Sequence, residues 1–213
     1  MSMIESEIEG ASDWFTRVGP DISGQANALV PQVYGMVQRA GEIELYVAGQ
    51  PWQQFLAGRI CPILPNTGKL TCRFMLWRSA LAEKFQEAME MDHRLEHENF
   101  DYNMSLEIVN GKIRIAKPGG AGWQDTGLTC GPLPVEQWVE IGINLRFDYA
   151  NKIGYLESIA IGGKLYVIPL AIEAEPSTDL GWKEGLYKQV QIGLAGAPGM
   201  FSVKLSEMQN IWS

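Results

Sequence analysis

The sequence is poor in the residues from which most reaction chemistry is built. Its 213 residues include two histidines, His93 and His97, and three cysteines, Cys61, Cys72 and Cys130. The cysteines form no metal-ligand spacing and cannot all pair with one another; one disulfide with a free thiol, or no disulfide, both fit. A serine or cysteine triad would need His93 or His97 as its base, and both stand in a heavily acidic stretch. No Gly-x-Ser-x-Gly elbow, phosphate-cradling glycine loop or Cys-x-x-Cys pair occurs. The residues call for no cofactor and no metal.

Positive charge is also scarce: 17 Lys and Arg stand against 25 Asp and Glu, a net charge of −8. Nucleic acid and anionic membrane surfaces both require clustered positive charge, so neither is an expected partner. A polyanionic substrate is disfavoured for the same reason. No apolar run approaches the roughly 18 residues of a membrane span. The opening MSMIESEIEG has neither the basic region nor the apolar stretch of a signal peptide.

What is present is ordinary globular material, 46% apolar and 20% charged, long enough to bury one core as a single domain. The 23 glycines suit many turns between short strands. Most of the seven tryptophans are expected in the core, since so large an apolar group is costly to leave in water. Residues 1–40 read as an irregular N-terminal part with one short edge strand, and residues 41–213 as the body of the domain.

The clearest strand runs from Trp138 to Phe147. Val139, Ile141, Ile143, Leu145 and Phe147 form one apolar face, and Trp138, Glu140, Gly142, Asn144 and Arg146 the other. Lys69 to Trp77 alternates in the same way, with Leu70, Cys72, Phe74 and Leu76 on one side and Thr71, Arg73, Met75 and Trp77 on the other. Gly162-Gly163 supplies the positive φ angles of a tight hairpin between Ile159 and Val167. Ser79 to His97 is different: it is rich in helix formers, with Leu81, Phe85 and Met89 at helical spacing.

The order of these features resembles the concanavalin A-like lectin/glucanase jelly rolls, in particular small bacterial members. The matching stretches are Ala88–Asp92, Tyr102–Ile108, Trp123–Gly127, Gln137–Ile141, the Gly162-Gly163 hairpin, Gly181-Trp182 and Phe201–Leu205. The resemblance implies a β-sandwich of two antiparallel sheets, one of them concave. It also implies that residues 86–93 are a strand of the concave sheet, after a brief helical turn near 80–84. An extracellular setting is favoured by the resemblance alone.

That choice decides the candidate chemistry. On a helix Glu90 and Asp92 would point about 200° apart; on a strand they share a face, roughly 7 Å apart. Glu90-Met91-Asp92 is similar to the start of the Glu-x-Asp-x-Glu signature of laminarinase-type glucanases, but Arg94 and Leu95 follow where the second catalytic Glu belongs. Lys183–Gln189 is similar to the Lys-Ala-Gly-x-Tyr-x-Gln stretch of jelly-roll alginate lyases, with Tyr187 as the proton-transferring residue. Glu90 and Asp92 stand where that family has Gln and His, and would repel a uronate. His93 and His97, roughly 13 Å apart on a strand, read as surface residues.

The leading expectation is therefore a lectin-like domain that binds an oligo- or polysaccharide in its concave groove without cleaving it. Trp77, Trp123 and Tyr187 are candidates to stack on a sugar ring, and Arg73, Glu90, Asp92, Asn144, Gln189 and Gln191 to bind its hydroxyls. The alternatives are a glycan-cleaving enzyme, either a hydrolase using Glu90 and a carboxylate from another strand or a lyase using Tyr187, and an interaction domain whose groove is filled.

Overall fold

A computed structural model of the chain describes residues 3–18, 33–49, 51–61, 68–117, 122–177 and 184–213. The first strands are β1 (Met3–Glu5), β2 (Phe15–Val18), β3 (Val33–Arg39), β4 (Glu42–Gly49), β5 (Gln54–Cys61) and β6 (Lys69–Arg78). A single helical turn, α1 (Ala82–Phe85), leads into β7 (Gln86–His97), β8 (Phe100–Asn103), β9 (Leu106–Val109), β10 (Lys112–Ala116) and β11 (Trp123–Thr129). Then follow β12 (Val139–Asp148), β13 (Ile153–Ile161), β14 (Lys164–Glu173), β15 (Glu175–Pro176), β16 (Gly185–Leu194) and β17 (Gly199–Trp212).

These strands form two antiparallel sheets. One has the order β14-β13-β12-β6-β17-β4-β3, with β1 also on β17; the other has the order β11-β10-β9-β7-β16-β5-β2, with β8 on β7 and β15 on β8. This is the expected all-β jelly-roll sandwich. Strands distant in sequence lie side by side, as β6 does between β12 and β17. Residues 1–40 differ from expectation: β1 and β3 join the first sheet and β2 the second, so the part read as irregular supplies strands to both. Gly181-Trp182, Lys183 and residues 19–32 of the N-terminal part lie outside the described residues.

Side-chain parity builds the core. Leu70, Cys72, Phe74 and Leu76 of β6 and Ile141, Ile143, Leu145 and Phe147 of β12 are buried, facing Met89, Met91 and Leu95 of β7 and Leu186, Val190 and Ile192 of β16. Helix propensity loses in the 79–97 segment after one turn: from Gln86 (φ −78°, ψ 125°) the backbone is extended. From there Met89, Met91 and Leu95 alternate with Glu90, Asp92, Arg94 and Glu96. A helix would scatter that pattern around its circumference, whereas a strand buries one half and leaves the other for the outer face.

The interior is not wholly apolar. Lys188, 1% exposed, donates from Nζ to Asn210 Oδ1 at 3.1 Å. Asn210 Nδ2 donates to Glu5 Oε2 at 3.1 Å, and Arg59 donates to Glu5 Oε1 at 2.8 Å. A buried cation without such a chain would be costly, so the network ties β1 to β5, β16 and β17. His93 also lies inside, 1% exposed, and corrects the expectation of a surface histidine. Burial, followed by the charge of Lys188, pushes its pKa down to about 3, so the ring is neutral. Cys61, Cys72 and Cys130 are all free thiols.

Most tryptophans are not core residues. Of the six described, Trp212 alone is fully buried, while Trp52 and Trp138 are 39% and 42% exposed.

Two hairpin turns show how backbone limits the sequence. Gly162 and Gly163 have φ +56° and +82°, as the hairpin reading requires. In the β9–β10 turn, Gly111 has φ +73°, and a Cβ there would lie 2.5 Å from the carbonyl carbon and oxygen of Gly131. Gly163 meets nothing within 4 Å. Gly111→Ala is therefore expected to lower stability by about 2 kcal/mol or more, and Gly163→Ala by about 1 kcal/mol. The midpoints of urea unfolding curves measure both; equal losses would show that the Gly131 contact is relieved without cost.

Candidate functional site

On the outer face of the second sheet, register brings polar side chains into one row. β7 pairs with β9 so that Glu90 is opposite Glu107, and Ala88 opposite Val109. β9 pairs with β10 so that Glu107 is opposite Arg114, which is in turn opposite Asp125 of β11. On the other side of β7, Glu90 is opposite Gln191 and Asp92 opposite Gln189. Directly opposed residues have Cβ atoms about 4.5–5.5 Å apart, so each member of the row is the cross-strand neighbour of the next.

Over this row lies a cleft of about 440 Å³ lined by Trp52, Gln54, Glu87, Ala88, Glu90, Glu107, Val109, Arg114 and Trp123. Small Ala88 and Val109 leave its floor low. Trp123, on the edge strand β11, and Trp52, from the β4–β5 connection, supply indole surface. A second cavity of about 390 Å³, lined in part by Lys112 and Asp125, shares Val109, Arg114 and Trp123 with the first. Trp52 is held at φ +66°, a left-handed conformation that a bulky side chain rarely adopts. Its amide donates to Leu194 O at 3.1 Å, and its ring lies where a Cβ on residue 196 would come within 3.0 Å, so Gly196 leaves room for it.

The carboxyls are held far from their usual acidity. Burial, then repulsion from Asp92 and Glu107, pushes Glu90 up to about 8, against which a hydrogen bond with Gln191 acts weakly. Burial pushes Glu107 up to about 7, although Arg114 opposes it. The Arg114 guanidinium lies 2.9 Å from Glu107 Oε1, an ion contact outside hydrogen-bond geometry. Asp92 is raised by burial despite accepting hydrogen bonds from Gln189 and Ser105. Near neutral pH the row thus holds both protonated and ionised carboxyls, able to donate and to accept.

Of the nine residues singled out from sequence, Glu90 and Trp123 line the cleft. Asp92, Gln189, Gln191 and Tyr187 share its sheet face but lie beside the cavity; Tyr187, 7% exposed, is flanked across strands by Arg94 and Ile60. Arg73, Trp77 and Asn144 lie on the outer face of the other sheet, across the full thickness of the sandwich. There Arg73 pairs with Glu140 at 2.6 Å, Lys204 sits 5.3 Å from the Trp77 ring, and Asn144 bonds Thr71 and Ser158 at 2.8 Å. Parity correctly sends these three outward from β6 and β12, but those strands belong to the opposite sheet. His97 bonds Glu184 at 2.8 Å and lies against Tyr149.

Trp52, Gln54, Glu87, Glu107 and Arg114 were not foreseen. Glu107 and Arg114 each interrupt an apolar alternation, in Leu106–Ile108 and Ile113–Ile115. That pattern places them on an outer face; only the pairing of β7, β9 and β10 brings them beside Glu90.

The fold is concanavalin A-like. No protein-family model matches the chain, and no curated protein matches its sequence. Among solved structures, the potassium-bound Emp46p carbohydrate recognition domain is similar with TM-score 0.50 and 6% identity, over 86% of this chain and 88% of that one. The Emp47p carbohydrate recognition domain is similar with TM-score 0.50 and 10% identity, over 94% and 88%. The alginate lyase vAL-1 from Chlorella virus is similar with TM-score 0.51 and 11% identity, over 96% and 95%. At such identities the likeness establishes the fold alone.

The raised acidity of Glu90 has a consequence for stability. Its folded-state pKa of about 8 lies above the usual 4.5, so the folded chain retains a proton that the unfolded chain has lost. Its contribution is therefore most favourable below pH 4.5 and is lost as pH rises to about 8. Glu90→Gln removes that loss: relative to wild type it should gain stability steadily across this window, reaching about 2 kcal/mol after allowing for the cleft's opening to water. Paired thermal unfolding scans from pH 4 to 9 test this; a constant difference between the two proteins would show that Glu90 ionises normally.

Proposed function

We propose that the cleft over β7, β9 and β10 is a saccharide-binding site and that the protein is a lectin-like, glycan-binding domain. The observation that carries this reading is the pairing of two indole surfaces, Trp52 and Trp123, with a floor of carboxyl, amide and guanidinium groups in one cavity. A sugar ring has an apolar face that stacks on indole and a rim of hydroxyls that both donate and accept hydrogen bonds. Glu90, Glu107, Arg114 and Gln54 offer both kinds of partner. The adjoining cavity beyond Trp123 gives room for more than one sugar unit. Of the three solved structures compared above, two are named as carbohydrate recognition domains and one as an alginate lyase, which supports a glycan as the class of ligand.

A second reading rests on Glu90 and Glu107. Two carboxyls on directly opposed residues, Glu90 raised to about 8 and Glu107 to about 7, supply the pair of acids that glycoside hydrolysis uses. Hydrolysis of a glycosidic bond with retention requires the two carboxyls about 5–5.5 Å apart, with inversion about 6.5–9.5 Å. The lyase alternative has less support, since Tyr187 is not among the residues lining the cleft and carboxyls dominate the floor.

Screening against a glycan array, with product release assayed on every ligand retained, separates the readings. Trp52→Ala and Trp123→Ala should each weaken binding about tenfold, while Arg73→Ala and Trp77→Ala, on the opposite sheet, should leave it unchanged. Products that vanish in Glu90→Gln while binding persists would make the protein a hydrolase. Binding that is insensitive to both cleft tryptophans would place the ligand elsewhere.

A further inference from the structure

The charge balance of the cleft points to a narrower class of ligand. Three carboxyl side chains, Glu87, Glu90 and Glu107, line it, and among the described residues Arg114 is the one basic side chain that does. The Arg114 charge is already engaged by Glu107. Glu107 is 3% exposed, and its Oε1 has that ion contact but no hydrogen bond. Glu90 has a neutral amide, Gln191, as its hydrogen-bond partner, and Asp92 two residues along the same strand adds further negative charge. Once ionised, this row of acids with one compensating cation is short of positive charge. An indole face attracts a cation as well as a sugar face.

Resting on the glycan-binding reading above, we propose that the cleft selects an amine-bearing glycan. The ammonium would be seated over the Glu90–Glu107 pair, and the ring carbons would lie against Trp52 and Trp123. A neutral glycan leaves the row to be neutralised by protonation alone, and a uronate adds a like charge to it at contact distance. An ammonium supplies the missing charge and three donors to acceptors that have few partners.

The arrangement also sets the sign of a pH effect. Glu90 is faced by Glu87 and Asp92 on its own strand, Glu107 from β9, Arg114 beyond it on β10, and Gln191 from β16. Repulsion among these acids favours protonation while the cleft is empty. A bound cation favours the ionised forms, so its binding releases protons and tightens as pH rises.

The test is isothermal titration with length-matched oligosaccharides: an N-acetylated hexosamine oligomer, its free-amine form, its N-trimethylated form and an oligouronate. The trimethylated oligomer keeps its charge at every pH, so any pH trend belongs to the protein. It is expected to bind at least about tenfold more tightly than the N-acetylated oligomer at pH 8.5. That advantage should shrink towards pH 6 and disappear in Glu90→Gln/Glu107→Gln, whose folding is checked by thermal unfolding. The free-amine oligomer at pH 6, where its amine is charged, should also exceed the N-acetylated one. The uronate should bind weakest. If neutral oligomers bind as tightly as both cationic ones, or the uronate binds tightest, the charge selection is wrong while glycan binding stands. If no oligosaccharide binds, the glycan-binding reading itself fails and this proposal fails with it.

Discussion

The register of β7 between β9 and β16 is the constraint on which the site depends. Each antiparallel pairing opposes one residue to one residue, and successive pairings carry a line across the sheet from Asp125 through Arg114, Glu107 and Glu90 to Gln191. Because side chains alternate with a period of two, a slip of one residue in β7 would turn Glu90 and Asp92 inwards and bring Met89 and Met91 to the surface. Burying two unpaired acids while exposing two thioethers would be costly, so the core that anchors the strand also fixes the acids in the cleft. Stability and site geometry share one cause.

The same logic explains why the acids are abnormal. A polar row on an open sheet face would be solvated and would titrate near its usual range. Here Trp52 and Trp123 stand over the row and exclude water, and the acids repel one another across short cross-strand distances. The protein tolerates this locally because compensation is strong elsewhere. Lys188, Asn210, Glu5 and Arg59 form a satisfied polar chain in the interior, which ties the N-terminal strand to both sheets. The two polar systems occupy opposite sides of the second sheet, because Lys188 and Gln189 are neighbours of opposite parity on β16.

The outer face of the first sheet offers a useful contrast. Arg73 and Glu140, and the partly buried Thr71–Asn144–Ser158 row, are also cross-strand neighbours, but their hydrogen bonds and ion pairs are mutually satisfied. Exposed pairs of this kind contribute little and leave no unmet bonding capacity for a ligand. A polar face becomes a candidate site when its groups are enclosed and imperfectly paired, as Glu90 and Glu107 are.

The alternation of apolar and polar residues by itself determined a great deal: the strands over 69–77 and 138–147, the Gly162-Gly163 hairpin, and the outward direction of Arg73, Trp77 and Asn144. These are local properties, since a period of two and a positive φ are written into consecutive residues. Together with the resemblance in motif order, they made the jelly-roll sandwich legible. The extended conformation of residues 86–93, and with it the outward direction of Glu90 and Asp92, was legible only through that resemblance, because helix propensity there points the other way and yields to pairing with β9 and β16. Which sheet each outward residue decorates was decided by the tertiary structure alone. Parity says that a side chain faces out but not on which side of a sandwich its strand lies, so Arg73, Trp77 and Asn144 belong to the opposite face, while Glu107, Arg114 and Trp52 join Glu90. Contacts between strands distant in the chain arise from burying the whole core at once, and no local pattern records them.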